Sequence, residues 1–141
     1  PLFGDTEMAR DDVRKLERFG NRPDSALAGI REAVLWQEAL GVEVKRERLL
    51  FLQKAWTDRV RRMPGFRVLT PTDRNRSGAL ALAVHDRIPA QDLVDRLLAD
   101  HGILTAVQKL PSVAGLRVVP GLPTPQEHLD RLVGALEQLT R

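Results

Sequence analysis

Residues 115–139 constrain the fold of this chain more than any other stretch. They contain a short apolar strand with one arginine, then a Pro/Gly turn, then an amphipathic helix. Thr124 can act as the N-cap of that helix, Pro125 suits its first position, and Glu127 can complete a capping box. The apolar residues that follow recur at three- and four-residue spacing, so they share one helix face that must be buried. They are Leu129, Leu132, Val133, Leu136 and Leu139.

The arginine of this strand is the first candidate for a functional residue. Alternation places Leu116 and Val118 on one face of the strand and Arg117 on the other. If the leucine face packs on helices, the guanidinium projects from a rigid element toward whatever covers the opposite face. Its planar fork suits a carboxylate or a phosphate there. The alternation also allows Arg117 to be a solvated residue on the open side of a sheet, or half of a salt bridge.

The remaining chain predicts three more helices and three more strands. Helices are expected at residues 24–40 and 44–62 and after Pro89, and strands at 66–70, 79–84 and 103–107, with Gln108 in the loop that follows. The expected buried positions in the helices are Ala26, Ile30, Ala33 and Leu40, then Leu49, Leu52, Trp56, Val60 and Met63, then Leu93, Val94, Leu97 and Leu98. At such spacing Trp56, and Trp36 before it, favour packing over ligand stacking.

The order of these elements predicts an α+β fold. We expect a small, mostly antiparallel sheet of about four strands, with helices packed on one face. Residues 1–23 are highly charged and have few apolar positions, so we expect a charged arm or interdomain linker there, and one domain over residues 24–141.

Length and composition exclude several classes of protein. The 141 residues, 43% hydrophobic and 29% charged, suit one globular domain. The absence of cysteine excludes disulfides and thiolate metal sites. The apolar runs are too short to span a bilayer, and no signal peptide is visible. A net charge of only +3 and 4% aromatic residues argue against a nucleic-acid partner. We expect a cytoplasmic protein without membrane or nucleic-acid partners, and a fragment, because the chain begins at Pro1.

The residues show no complete catalytic site. His85, His101 and His128 lack metal-type spacing, and we interpret them as structural or solvated. No nucleophile elbow, phosphate-binding loop or dinucleotide fingerprint is present.

Two motifs at the right separation resemble a known family. The first is FGNRP at residues 19–23, followed by a helix that ends in QEALG at 37–41. The second is GLRVVP at residues 115–120, before a helix that opens with TPQE. Together they resemble the C-terminal, small domain of class V aminotransferase-like enzymes of fold type I, in the branch of isopenicillin N epimerase-like and cysteine desulfurase-like proteins. The similarity covers nearly the whole chain.

The resemblance implies an enzyme that uses pyridoxal 5′-phosphate (PLP) and acts on an amino acid. It implies that Arg117 binds the substrate α-carboxylate, and that Gly20 and Asn21 contact the PLP phosphate of the neighbouring subunit in a homodimer. Asn21 departs from the threonine usual in the family. The family's PLP-binding lysine lies in a large domain that precedes this one.

None of the four lysines here, Lys15, Lys45, Lys54 and Lys109, has the context of the PLP-binding lysine. We therefore expect this chain alone to be inactive, and to be part of an aminotransferase, epimerase (an isomerase) or desulfurase. The missing large domain is its expected partner. The alternative is a stand-alone α+β module for ligand binding or dimerisation, with no chemistry of its own.

Overall fold

The structure is a computed structural model that describes residues 24–140. Its elements, in chain order, are α1 (Asp24–Leu40), α2 (Val42–Val60), β1 (Phe66–Val68), β2 (Ala81–His85), α3 (Ala90–His101), β3 (Ala106–Leu110), β4 (Val113–Val118) and α4 (Gln126–Leu139). The chain divides into two compact units, Pro1–Leu40 and Gly41–Arg141. The arm expected at residues 1–23 lies outside the described residues.

The second unit contains a four-stranded sheet in the order β1-β2-β4-β3, and every neighbouring pair is antiparallel. β4 is a central strand, paired with β2 on one side and β3 on the other. The expected α+β fold, with a sheet of about four strands, is confirmed. Its order places the arginine strand in the interior of the sheet, where hydrogen bonds on both edges hold its backbone.

The core lies between one face of the sheet and helices α2, α3 and α4. The sheet contributes Phe66, Ala81, Ala83, Leu116 and Val118 to it. All five apolar residues expected on the buried face of α4 are buried. Leu52, Trp56 and Val60 of α2 are fully buried, as expected.

Several sequence-based details are wrong. In α3, Leu98 is 51% exposed, because the helix buries only a narrow stripe. Thr124 does not cap α4; its Oγ1 accepts a hydrogen bond from the Gly121 N–H (2.9 Å), so it stabilises the preceding turn instead. The third strand was expected to end before Gln108, whereas β3 extends to Leu110. Pairing with β4 through a tight connection explains the extension.

Arginines of α2, and Arg61 at its C-cap, join the helix to other parts of the second unit. Arg48 Nη2 donates to the Thr124 carbonyl at 3.0 Å, and Arg61 Nη2 donates to the Thr70 carbonyl at 2.6 Å. Arg59 forms an ion pair with Asp130 of α4 at 2.6 Å. These side chains therefore stabilise the packing of α2 in the second unit.

The described part of the first unit is α1. Nearly all of its side chains are exposed, including Ile30 and Trp36, each at 58%. The packing expected for Trp36 and for the apolar face of this helix is therefore not found among its described contacts. No helix within residues 24–140 is both long enough and apolar enough to cross a membrane.

Candidate carboxylate-binding site

Arg117 lies on the face of the sheet opposite the helices. In the register of the sheet it stands directly opposite Leu82 of β2 and Ala106 of β3. Since cross-strand partners share a face, these two side chains flank the arginine, while its neighbours Leu116 and Val118 enter the core. The orientation expected from alternation is therefore the one the structure shows.

Beside Arg117, strands β4 and β2 come into close contact at Gly115. A Cβ atom at this position would lie 2.9 Å from Cγ and Cδ1 of Leu82 and 3.0 Å from the carbonyl oxygen of Ala83. The missing side chain therefore lets Leu82 lie across β4 and become 95% buried, at 5% exposure. Leu82 forms an apolar surface next to Arg117, and low polarity there strengthens electrostatic interactions of the guanidinium.

Among residues 24–140 the guanidinium has one polar partner. Arg117 Nη1 donates to Oε1 of Gln108 on β3 at 3.3 Å. Gln108 stands opposite Gly115, two residues from Ala106, so the contact runs diagonally between strands. Within residues 24–140 no carboxylate pairs with Arg117. The salt-bridge interpretation is thus not found within residues 24–140, where the guanidinium is held by a neutral group.

Arg117 also borders a cleft of about 570 Å³ at the end of β4. The start of β3 and the first turns of α4 form its other walls, with Thr105, His128 and Arg131 among the lining residues. None of the described lining residues is acidic, and two of them, Arg117 and Arg131, are arginines. The cleft therefore has the electrostatic character expected of a site for an anionic group.

His85 has a structural role. Its Nδ1 accepts hydrogen bonds from the backbone N–H groups of Arg87 (3.2 Å) and Ile88 (3.1 Å), and its ring contacts Phe66 edge-on at 4.8 Å. These contacts fix the turn after β2. In the part of the chain that the structure describes, no group of three or more His, Asp or Glu side chains is arranged to hold a metal ion.

The other proposed site residues, Gly20 and Asn21, lie outside the described residues, so their role stays a prediction. Among the lysines that the structure describes, Lys109 is exposed and Lys54 forms an exposed pair with Asp58 at 3.8 Å. Neither lies in a buried, apolar pocket of the kind that activates a catalytic lysine.

Sequence reasoning missed Gln108 as part of the site. Its position depends on how far β3 pairs with β4, and no local pattern in VQKLP shows that. The one available signal was the spacing: a polar residue two positions after Ala106 shares its face once the strand is extended.

The fold that carries Arg117 is thus a four-stranded antiparallel sheet with helices α2, α3 and α4 on one face and the arginine on the other. Comparison with solved structures identifies proteins with a similar fold. The fold is similar to part of the cysteine desulfurase CsdA of Escherichia coli, with a TM-score of 0.72 and 20% identity over 87% of this chain.

Two further structures are similar. One is tryptophan decarboxylase of Catharanthus roseus, solved in complex with L-tryptophan (TM-score 0.60, 19% identity, 75% of this chain). The other is alanine–glyoxylate aminotransferase of Nostoc sp. (TM-score 0.57, 21% identity, 79% of this chain). The resemblance found in the sequence motifs is thereby confirmed as a likeness of fold. No family model matches the chain, and the comparison with curated proteins found no relative.

The matched region is a minor part of each of these enzymes. The chain spans 32% of the desulfurase, 25% of the decarboxylase and 30% of the aminotransferase.

Proposed function

We propose that this chain is the C-terminal domain of a PLP-dependent enzyme that acts on an amino acid, and that Arg117 binds the substrate α-carboxylate. The observation that supports the proposal most strongly is the Arg117 guanidinium, which pairs with no carboxylate among residues 24–140 and lies on the face of the sheet that no helix of the second unit covers. The likeness to a cysteine desulfurase, a tryptophan decarboxylase and an alanine–glyoxylate aminotransferase agrees with it, since the names of these enzymes state that each acts on an amino acid.

The contribution of Arg117 is to bind and orient. A guanidinium can offer two parallel N–H groups to a carboxylate, which fixes both the position and the rotation of an amino acid about its Cα. Such fixed orientation is worth several kcal/mol in a reaction that must break one chosen bond at Cα. Leu82 and Ala106 carry no charge, so they neither compete for the guanidinium nor attract the substrate amine.

PLP supplies an electron sink and a covalent attachment point for the amino group when it is bound. We propose that its lysine is provided outside residues 1–141 and that Gly20 and Asn21 contact its phosphate from the neighbouring subunit of a homodimer. Of the proposed contacts, the described residues supply the one with the substrate, through Arg117, and not those with PLP. Transamination, racemisation or epimerisation, and C–S bond cleavage are all compatible with that contribution.

The surface beside the site supports a covering partner. Leu80 and Leu110, which border a groove on the same side of the sheet as Gln108, are 44% and 45% exposed. A stand-alone module would leave this apolar surface in water or bury it in a dimer of identical chains. Light scattering on the purified chain distinguishes the cases. Aggregation favours a domain without its partner, and a well-behaved monomer or dimer favours the module.

The test of the proposal uses the full-length protein, loaded with PLP and titrated with the twenty standard L-amino acids while its cofactor absorbance is recorded. We expect at least one amino acid to change the spectrum. Arg117→Ala should then weaken the binding of that amino acid by about 3 kcal/mol, or ~100-fold in affinity. It should leave the spectrum of the unliganded protein unchanged. Arg67→Ala is the matched control, because Arg67 lies on the same face of the sheet but on the edge strand β1, and is exposed.

An unchanged affinity in Arg117→Ala, or an equal loss in Arg67→Ala, would remove the basis for the assignment. Absence of any spectral response to PLP would reject the enzyme class itself.

A further inference from the structure

We infer that Gln108 is a positioning residue for Arg117, and that its lack of charge makes the site selective for ligands that carry a carboxylate. This inference rests on the proposed function, which assigns Arg117 to the substrate. Gln108 thereby becomes a further residue of the site, and an acidic residue at its position should impair carboxylate binding.

The geometry fixes which atom of the Gln108 amide faces the arginine. Nε2 of Gln108 donates to the carbonyl oxygen of Lys109 at 3.3 Å, so Oε1 is the atom turned to Arg117 Nη1, also at 3.3 Å. The two contacts together orient the amide, because only an oxygen can accept from the guanidinium and only the NH₂ group can donate to the carbonyl. Gln108 is thus held from one side and holds Arg117 from the other.

Among the cross-strand neighbours of Arg117 within residues 24–140, Gln108 is the polar side chain that can hold the guanidinium. The residues directly opposite Arg117 are Leu82 and Ala106, and the residue opposite Gln108 is Gly115, which has no side chain. A half-buried arginine with a long, flexible stem would otherwise sample many rotamers, each of which a ligand would have to exclude. One neutral hydrogen bond restricts that freedom and leaves the remaining N–H groups for a ligand.

The neutral charge of the Gln108 amide is what distinguishes it from a glutamate at the same position. A glutamate at position 108 has nearly the same shape, but it would form an ion pair with Arg117 in place of the hydrogen bond. An incoming carboxylate would then have to displace or share that partner, and would approach a second negative charge. A neutral acceptor positions the guanidinium without this competition.

The experiment compares two variants of Gln108 in the full-length, PLP-loaded protein. The probe is the amino acid with the strongest spectral response in the titration above, measured beside its α-amide, which lacks the negative charge. Gln108→Glu should lower the affinity for the amino acid at least ~10-fold and change the affinity for its α-amide less than ~2-fold. Gln108→Met keeps the side-chain volume but cannot accept the hydrogen bond from Arg117. It should lower the affinity for the amino acid ~2- to 5-fold, as expected for one lost hydrogen bond.

Gln138→Glu is the control for net charge, because Gln138 is exposed on α4, on the opposite side of the sheet. It should leave both affinities unchanged. Thermal unfolding of each variant shows whether the fold is intact; we expect midpoints close to that of the parent. The resonance of the Arg117 Nε–H group in an NMR spectrum should shift in Gln108→Glu and Gln108→Met, and stay in place in Gln138→Glu.

The outcomes separate this inference from the function on which it rests. If Arg117→Ala weakens the amino acid while Gln108→Glu binds it as tightly as the parent, Gln108 does not position the guanidinium. If Gln108→Glu weakens acid and amide equally, its effect is structural and the selectivity claim is wrong. If Arg117→Ala has no effect, the proposed function itself is wrong.

Discussion

Replacing Gly115 by alanine should destabilise the second unit, although alanine is the better residue for most strands. The new Cβ would meet Leu82 at 2.9 Å and the backbone oxygen of Ala83 at 3.0 Å. Leucine can rotate away, but the oxygen belongs to the ladder between β2 and β4, so the strands themselves must shift by a few tenths of an ångström. Overpacking of this kind costs about 1–3 kcal/mol.

Part of that cost is offset in the unfolded state. Gly115 does not have a positive φ, so alanine is compatible with its backbone and lowers the entropy of the unfolded chain, which stabilises by about 0.4–1 kcal/mol. The net loss in free energy of unfolding is therefore about 1–2 kcal/mol. With a urea dependence near 2 kcal/mol per molar, the unfolding midpoint should fall by roughly 0.5–1 M.

A double-mutant cycle with Leu82→Ala tests the cause of this loss. Leu82→Ala alone removes a side chain that is 5% exposed and should cost about 2–3 kcal/mol. In the double variant the clash with the leucine disappears and the contact with the Ala83 oxygen remains. The combined loss should therefore be smaller than the sum by about 1 kcal/mol. A Gly115→Ala variant as stable as the parent, or strictly additive effects, would refute the close approach beside Arg117.

Other substitutions test the packing around the site. Gly65→Ala should cost more than 2 kcal/mol in urea unfolding, because Gly65 has a φ of 77° and its Cβ would lie 2.6 Å from Nε2 of His85; equal stability would show that the turn relaxes freely. Arg59→Ala should cost less than about 1 kcal/mol, and still less in high salt, since its ion pair with Asp130 is partly exposed; a loss insensitive to salt would assign its role to packing. Trp56→Ala should cost about 3–5 kcal/mol by calorimetry, because the side chain is fully buried; a loss below 1 kcal/mol would place it outside the core.

Much of the second unit could be predicted from its sequence, because its elements have strong periodic patterns. The leucines and the valine of α4 recur at helical spacing, and all five are buried. Alternation in β4 was enough to separate Leu116 from Arg117. These features depend on residues within one element, where the spacing of side chains on a helix or strand is fixed by the backbone.

The parts that could not be predicted depend on contacts between elements. The extent of β3, and with it the location of Gln108 beside Arg117, is set by pairing with β4. The need for glycine at position 115 depends on Leu82, 33 positions earlier in the chain. Thr124 was assigned to a cap because the motif TPQE is typical of one, but the preceding Gly121 N–H competes for the same oxygen.

The most direct test of the account is a crystal structure of the full-length protein with an amino acid bound. We predict that the two oxygens of the ligand's α-carboxylate lie about 2.7–2.9 Å from nitrogens of the Arg117 guanidinium, with Gln108 still in contact with that side chain. A carboxylate bound more than about 4 Å from Arg117, too far for a hydrogen bond, would contradict it.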